Sequence, residues 1–139
     1  MKKTKRQKTK DKYVGYKVVV VKGGKNYSCT KRVFRSDHRF SIRYLVNKWV
    51  FPFEKCGPLA VFGSLKNAEE FLKKFVDHWG RTDEIFRIYR CEYIPSRGQR
   101  LFVGRSDSPE STHLVSLPYD TRLARSVRLE KKCFEKRVR

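Results

Sequence analysis

Lysine and arginine outnumber aspartate and glutamate by 34 to 14 in this chain of 139 residues, so any fold must keep twenty surplus positive charges apart and in water. Self-repulsion on that scale disfavours a compact state unless enough apolar surface is buried against it. The apolar surface is there. Ten Phe, seven Tyr and two Trp sit within a 39 % hydrophobic composition, which excludes a histone-tail-like or protamine-like polycation. At this length one domain is expected, burying about two-thirds of the unfolded chain's surface.

The longest aliphatic run, Val18 to Val21, is far short of the roughly 18 apolar residues of a membrane span. The basic start, Lys2 to Lys10, is not followed by the apolar segment of a signal peptide. No membrane partner is expected, and the location expected is intracellular: cytoplasmic or nucleoid-associated, or nuclear in a eukaryotic host, where Lys2-Lys3-Thr4-Lys5-Arg6 would pass as an import signal. Cys29, Cys56, Cys91 and Cys133 form no C-x-x-C and share no helical turn with a histidine, so reduced thiols and no zinc site are expected.

Charge divides the chain into three. Residues 1–12 hold seven basic residues against Asp11 and, after Met1, nothing apolar, the composition of a disordered basic arm. Residues 13–120 form the single α+β domain, still with 19 basic against 11 acidic residues. Residues 121–139 are a basic tail that interleaves Leu123, Val127, Leu129 and Phe134 and so has something to dock. Its apolar offsets fit either a helix or a strand, and Asp120 after Pro118 as a cap tips the reading towards a C-terminal helix.

Within the domain, β-branched Val18 to Val21, then Gly23-Gly24, then Tyr27 and Cys29 at period two predict a hairpin over Tyr16 to Thr30. Further strands are expected in Arg39 to Val50, Leu59 to Phe62, Glu84 to Ile94 and Arg100 to Val103, with a short one at Leu114 to Leu117 inside a loop from Ser106 to Pro118. The firm helix runs from Asn67 to Trp79. Asn67 and Glu70 read as a capping box, Gly80 as its stop, and Ala68, Phe71, Leu72, Phe75, Val76 and Trp79 as its buried face. The fold expected is a twisted antiparallel sheet of five or six strands packed on one central helix.

The run Trp49-Val50-Phe51-Pro52, Gly57-Pro58-Leu59-Ala60-Val61-Phe62-Gly63-Ser64-Leu65 and Ala68-Glu69-Glu70-Phe71, between the hairpin and the strand ending Arg90-Cys91-Glu92, resembles a pattern in small uncharacterised proteins of phages and prokaryotes. The resemblance covers roughly 75 residues. It implies a phage or mobile-element origin and carries no function or site residues with it.

Basic and aromatic residues interleave in two segments, Lys25 to Tyr44 and Arg87 to Arg105. Guanidinium groups bind phosphate in bidentate fashion and aromatic rings stack on unpaired bases. The expected phosphate contacts are Lys2, Lys3, Lys5 and Arg6 in the arm, Lys31, Arg32, Arg35, Arg39 and Arg43 in the first segment, Arg87, Arg90, Arg97, Arg100 and Arg105 in the second, and Arg122, Arg125 and Arg128 in the tail. Tyr27, Tyr44, Tyr89 and Tyr93 are the stacking candidates. No named nucleic-acid module fits, so sequence-tolerant recognition of RNA or single strands is expected, with docking to an acidic protein, or occupation of its nucleic-acid site by a phage-encoded factor, as the alternative.

Catalysis is not expected. The three histidines read as a helix cap (His78) and loop residues (His38, His113), Gly23-Gly24 lacks a phosphate loop's surroundings, and the acidic pair Glu69-Glu70 belongs to the helix start. No cofactor or metal is implied. A small transferase has only the order of elements in its favour. Deleting residues 1–12 is expected to leave thermal melting nearly unchanged while flattening the salt dependence of polynucleotide binding, by about 0.9 in the slope of log K against log salt for each duplex phosphate no longer neutralised. Binding titrations at several salt concentrations measure it.

Overall fold

The computed structural model describes residues 12–28, 42–52, 58–79, 83–98, 100–103, 110–113 and 117–139, with 78–79, 100–103 and 110–113 described by their backbone alone. Among the described residues nine strands and one helix follow one another: β1 (Tyr13–Lys22), β2 (Lys25–Ser28), β3 (Arg43–Tyr44), β4 (Trp49–Val50), β5 (Leu59–Phe62), α1 (Leu65–Trp79), β6 (Ile85–Pro95), β7 (Arg100–Val103), β8 (Glu110–His113) and β9 (Thr121–Arg137). Seven strands make one antiparallel sheet, while β7 and β8 form a separate two-stranded ribbon. The protein is α+β, dominated by strands.

The pairings close on themselves. β1 pairs with β6 along its length, β6 with β9, β9 with β5, and β5 returns to β1 at Tyr16 opposite Phe62. The bend comes from β9, which is set against β6 with three register shifts that leave Arg125, Glu130 and Cys133 as the extra residues. Each such bulge bends the strand and increases its twist. A curved sheet has two faces, and both are buried.

One apolar cluster takes residues from all four strands of the ring, among them Val19, Val61, Tyr89, Cys91, Tyr93, Val127 and Leu129. The other takes the residues of opposite parity, Val18, Val20, Phe86 and Ile88, and packs them with Phe62 against Ala68, Leu72 and Phe75 of α1. The run Val18 to Val20 is thus buried on both faces, which explains its lack of alternation. A chain of rings, Phe62, Phe71, Phe75 and Phe86, with centroids 5.0, 5.6 and 5.7 Å apart, joins β5 to β6 through the helix.

Several expectations are met in position. The hairpin turns at Gly23-Gly24, both at positive φ (56° and 75°), the conformation that a two-residue hairpin loop requires and glycine adopts freely. Leu59 to Phe62 and Arg100 to Val103 are strands with the expected bounds. Others are corrected. The large sheet has seven strands rather than five or six. The tail is β9, not a helix, because its Leu123, Val127 and Leu129 bury in the sheet while the bulges break the period of two. The strand after β7 lies at Glu110–His113, within the segment read as loop, while 114–116 fall outside the described residues. The helix starts two residues early, capped by Ser64, whose Oγ accepts the Asn67 amide N–H at 3.2 Å, rather than by Asn67.

Among the described residues one charge is buried within the ring. Lys17, on β1, is 4 % exposed, donates from Nζ to the Ala60 carbonyl at 2.7 Å and places its ammonium 5.2 Å from the centroid of the Tyr44 ring. A backbone acceptor and an aromatic face offset part of its desolvation. Among the described residues no helix is long and apolar enough to cross a membrane.

Phe75 is 5 % exposed and Lys73 lies on the wet face of α1. Phe75→Ala is expected to destabilise by about 3 to 5 kcal/mol through reduced burial and a cavity, and Lys73→Ala to change stability by no more than about 0.5 kcal/mol. Denaturant unfolding of both variants measures the contrast.

Candidate nucleic-acid interface

The outer surface of the β6–β9 ribbon, away from α1, collects charge. Strand register puts Tyr16, Arg90 and Lys131 in one row across β1, β6 and β9, and Val14, Glu92 and Arg128 in the next. The two rows differ in one respect. Arg128 donates from Nη2 to Glu92 and, at 3.2 Å, to Glu130, whereas Arg90 and Lys131 are exposed and, among the described residues, have no carboxylate within salt-bridge distance. Like charges directly opposite each other across two strands repel.

Further cations continue this ribbon. Lys136, Arg137 and Arg139 are exposed at the end of the chain, and Arg125 projects from the first bulge of β9. On the opposite face Arg87 donates from Nε to Glu135 Oε1 at 2.8 Å, and Lys132 approaches the same oxygen at 3.3 Å. The hydrogen bond to Glu135 raises the Arg87 guanidinium and the bonds from Arg87 and Lys132 lower the Glu135 carboxyl. Two cations sharing one carboxylate leave that group net positive.

The candidates read from the amino-acid order fall into three sets. Arg43, Arg90, Arg97 and Arg125 are exposed without a carboxylate partner among the described residues. Arg87, Arg122 and Arg128 each hold a carboxylate. Arg100 lies in β7, and Lys2, Lys3, Lys5, Arg6, Lys31, Arg32, Arg35, Arg39 and Arg105 lie outside the described residues. Lys131 and Lys136 were missed. Nothing in their spacing marks them, because the bulges decide which face each residue of β9 takes.

The stacking candidates need correction. Tyr44, Tyr89 and Tyr93 are 1, 6 and 4 % exposed and form part of the inner cluster, and Tyr27 is half-buried against the helix side. Tyr89 accepts a hydrogen bond from Asn26 Nδ2 at 3.3 Å inside the sheet. Among the described residues the exposed rings are Tyr13, Phe51 and Tyr119. Strand parity could have flagged the inward pair on β6: Tyr89, Cys91 and Tyr93 alternate with Arg90 and Glu92 and must face inward if those face out.

Where β5 passes into α1, Asp120 forms a lock. Its backbone carbonyl accepts from the Gly63 N–H at 3.1 Å, its Oδ2 from Asn67 Nδ2 at 3.0 Å and its Oδ1 from Arg122 Nη2 at 3.2 Å. A Cβ at Gly63 would stand 2.6 Å from that Oδ1, so only glycine fits, and Asp120 itself takes φ +68°. Burial pushes the Asp120 carboxyl up, but the bonds from Asn67, Arg122 and Ser64 outweigh it and hold it below its ordinary value. The lock orients the helix, and Arg122 is tied to it.

Among the described residues reactive groups are few. Burial pushes the Cys91 thiol up to about 12 against the opposing influence of Lys17, which makes it inert at neutral pH. Cys133 is exposed and Cys29 and Cys56 lie outside the described residues. Among the described residues no group of His, Cys, Asp and Glu is placed to hold a metal ion. No family model matches the chain, and neither the curated proteins nor the solved structures compared with it include a match.

Because the folded Asp120 carboxyl is lowered, its contribution to stability is complete above the ordinary value near 3.8 and fades as pH falls through the folded value. Asp120→Asn, which keeps a side chain tolerant of positive φ, is expected to melt at a lower temperature than the parent at pH 6, with the gap narrowing as pH falls below about 4. Thermal melts across that range measure the gap.

Proposed function

We propose that this protein is a small, non-enzymatic nucleic-acid-binding protein that recognises mainly the phosphate backbone, favouring RNA or single strands, and that its origin is in a phage or mobile element. The observation that carries the functional reading is the pair Arg90 and Lys131, opposite each other on adjacent strands and uncompensated among the described residues. A bound phosphate between two such cations replaces their repulsion with charge-assisted hydrogen bonds. Arg125 and Lys136 extend the positive charge along the same ribbon, and the chain as a whole carries +20.

The cations of this face supply phosphate contacts, and phosphate contacts carry no base information. Affinity measured at one salt concentration across scrambled duplexes, single strands and RNA hairpins is therefore expected to vary little with sequence, with single strands or hairpins bound more tightly than duplexes. One duplex bound about a thousandfold tighter than its scrambles would overturn sequence-tolerant recognition. Absence of binding to any polynucleotide at about 150 mM salt would favour an acidic protein as the partner.

A further inference from the structure

We infer that unpaired nucleobases stack at the end of the ring where β1 begins and β4 lies, with Phe51 and Trp49 as the platform. The inference rests on the nucleic-acid reading and adds to it the site at which bases are held. Register places Tyr13, Tyr93, Val127 and Val50 at one level across β1, β6, β9 and β4. Immediately around that level, Phe51 is 61 % exposed and Tyr13 is 51 % exposed, its ring 5.9 Å from that of Tyr93. Rings this exposed contribute little to the core, so their burial does not account for them.

The neighbouring charges favour one occupant. Lys12 Nζ and Arg128 Cζ each lie 5.8 Å from the centroid of the Trp49 ring, so cations flank the indole beside the exposed Phe51. An apolar protein helix would have to desolvate both cations; a single-stranded polynucleotide offers bases to the rings and phosphates to the cations. Duplex DNA, with its bases already stacked on one another, offers only the second. Arg90 and Lys131 lie one register row from Arg128 on the same ribbon, which lets one backbone run from the phosphate contacts to the ring platform.

The test uses the full chain with three probes of equal length at one salt concentration: oligothymidylate, an abasic oligomer and a duplex. The parent protein is expected to bind oligothymidylate more tightly than the abasic strand, with quenching of tryptophan fluorescence only in the first case. Phe51→Leu keeps an apolar side chain but removes the ring, and is expected to lower oligothymidylate affinity by about fivefold to a hundredfold while leaving abasic affinity and the melting temperature unchanged. Trp49→Leu is expected to act in the same direction. Equal binding of thymidylate and abasic strands, unaltered by Phe51→Leu, would overturn stacking while leaving phosphate recognition standing. A fall in affinity common to both strands would show a local packing effect and overturn it too. Failure of the parent to bind any of the three would instead remove the nucleic-acid reading on which the inference rests.

Discussion

β6 and β9 form the longest ribbon among the described residues, and the three residues that β9 carries in excess bend it enough for β5 to bridge β9 and β1. Without that bend the same strands would form an open sheet, with one face for α1 and the other in water. With it, the second face becomes an interior in which Val19, Val61, Tyr93, Val127 and Leu129 are removed from solvent. The closure also determines where charge can go. Once both faces of the ring strands are filled, the cations of β6 and β9 are confined to the outer side beyond α1 and to the ends of the ribbon. The basic surface is thus a consequence of the core.

The same bend explains what the amino-acid order disclosed and what it concealed. Strands with regular alternation, and the helix with apolar residues at a 3.6 period, were legible because each residue's face follows from its number. The hairpin at Gly23-Gly24 and the strand at Leu59 to Phe62 were legible for another reason: short apolar runs bounded by glycine and proline. The tail does not. Buried residues at 123–124, 126–127 and 129 alternate with Arg122, Arg125 and Arg128 at a spacing of three, which mimics a helix because the bulge at Arg125 moves the phase by one residue and both Ser126 and Val127, on opposite faces, are buried.

The candidate interface suffered from the same ambiguity. Arg90 was identifiable from its basic and aromatic neighbours, whereas Lys131 becomes its partner only through the bulge at Glu130. Tyr89 and Tyr93, attractive as stacking residues in the linear order, are committed to the interior by their parity with Cys91. Phe51, just past the strand expected in Arg39 to Val50, emerges as one of the most exposed rings among the described residues. Its exposure is set by where β4 meets β9, a pairing between residues nearly eighty positions apart.

The central claim is that Arg90 and Lys131 are held in mutual repulsion for an anion to relieve, and the double variant Arg90→Gln/Lys131→Gln tests it through two readouts of opposite sign. Without polyanion, the variant should be at least as stable as the parent, by up to about 1 kcal/mol, because a like-charge cross-strand pair has been removed. With duplex DNA, its slope of log K against log salt should be shallower by about 1.8, since two phosphates are no longer neutralised. A variant that is less stable than the parent and binds with an unchanged slope would contradict the account.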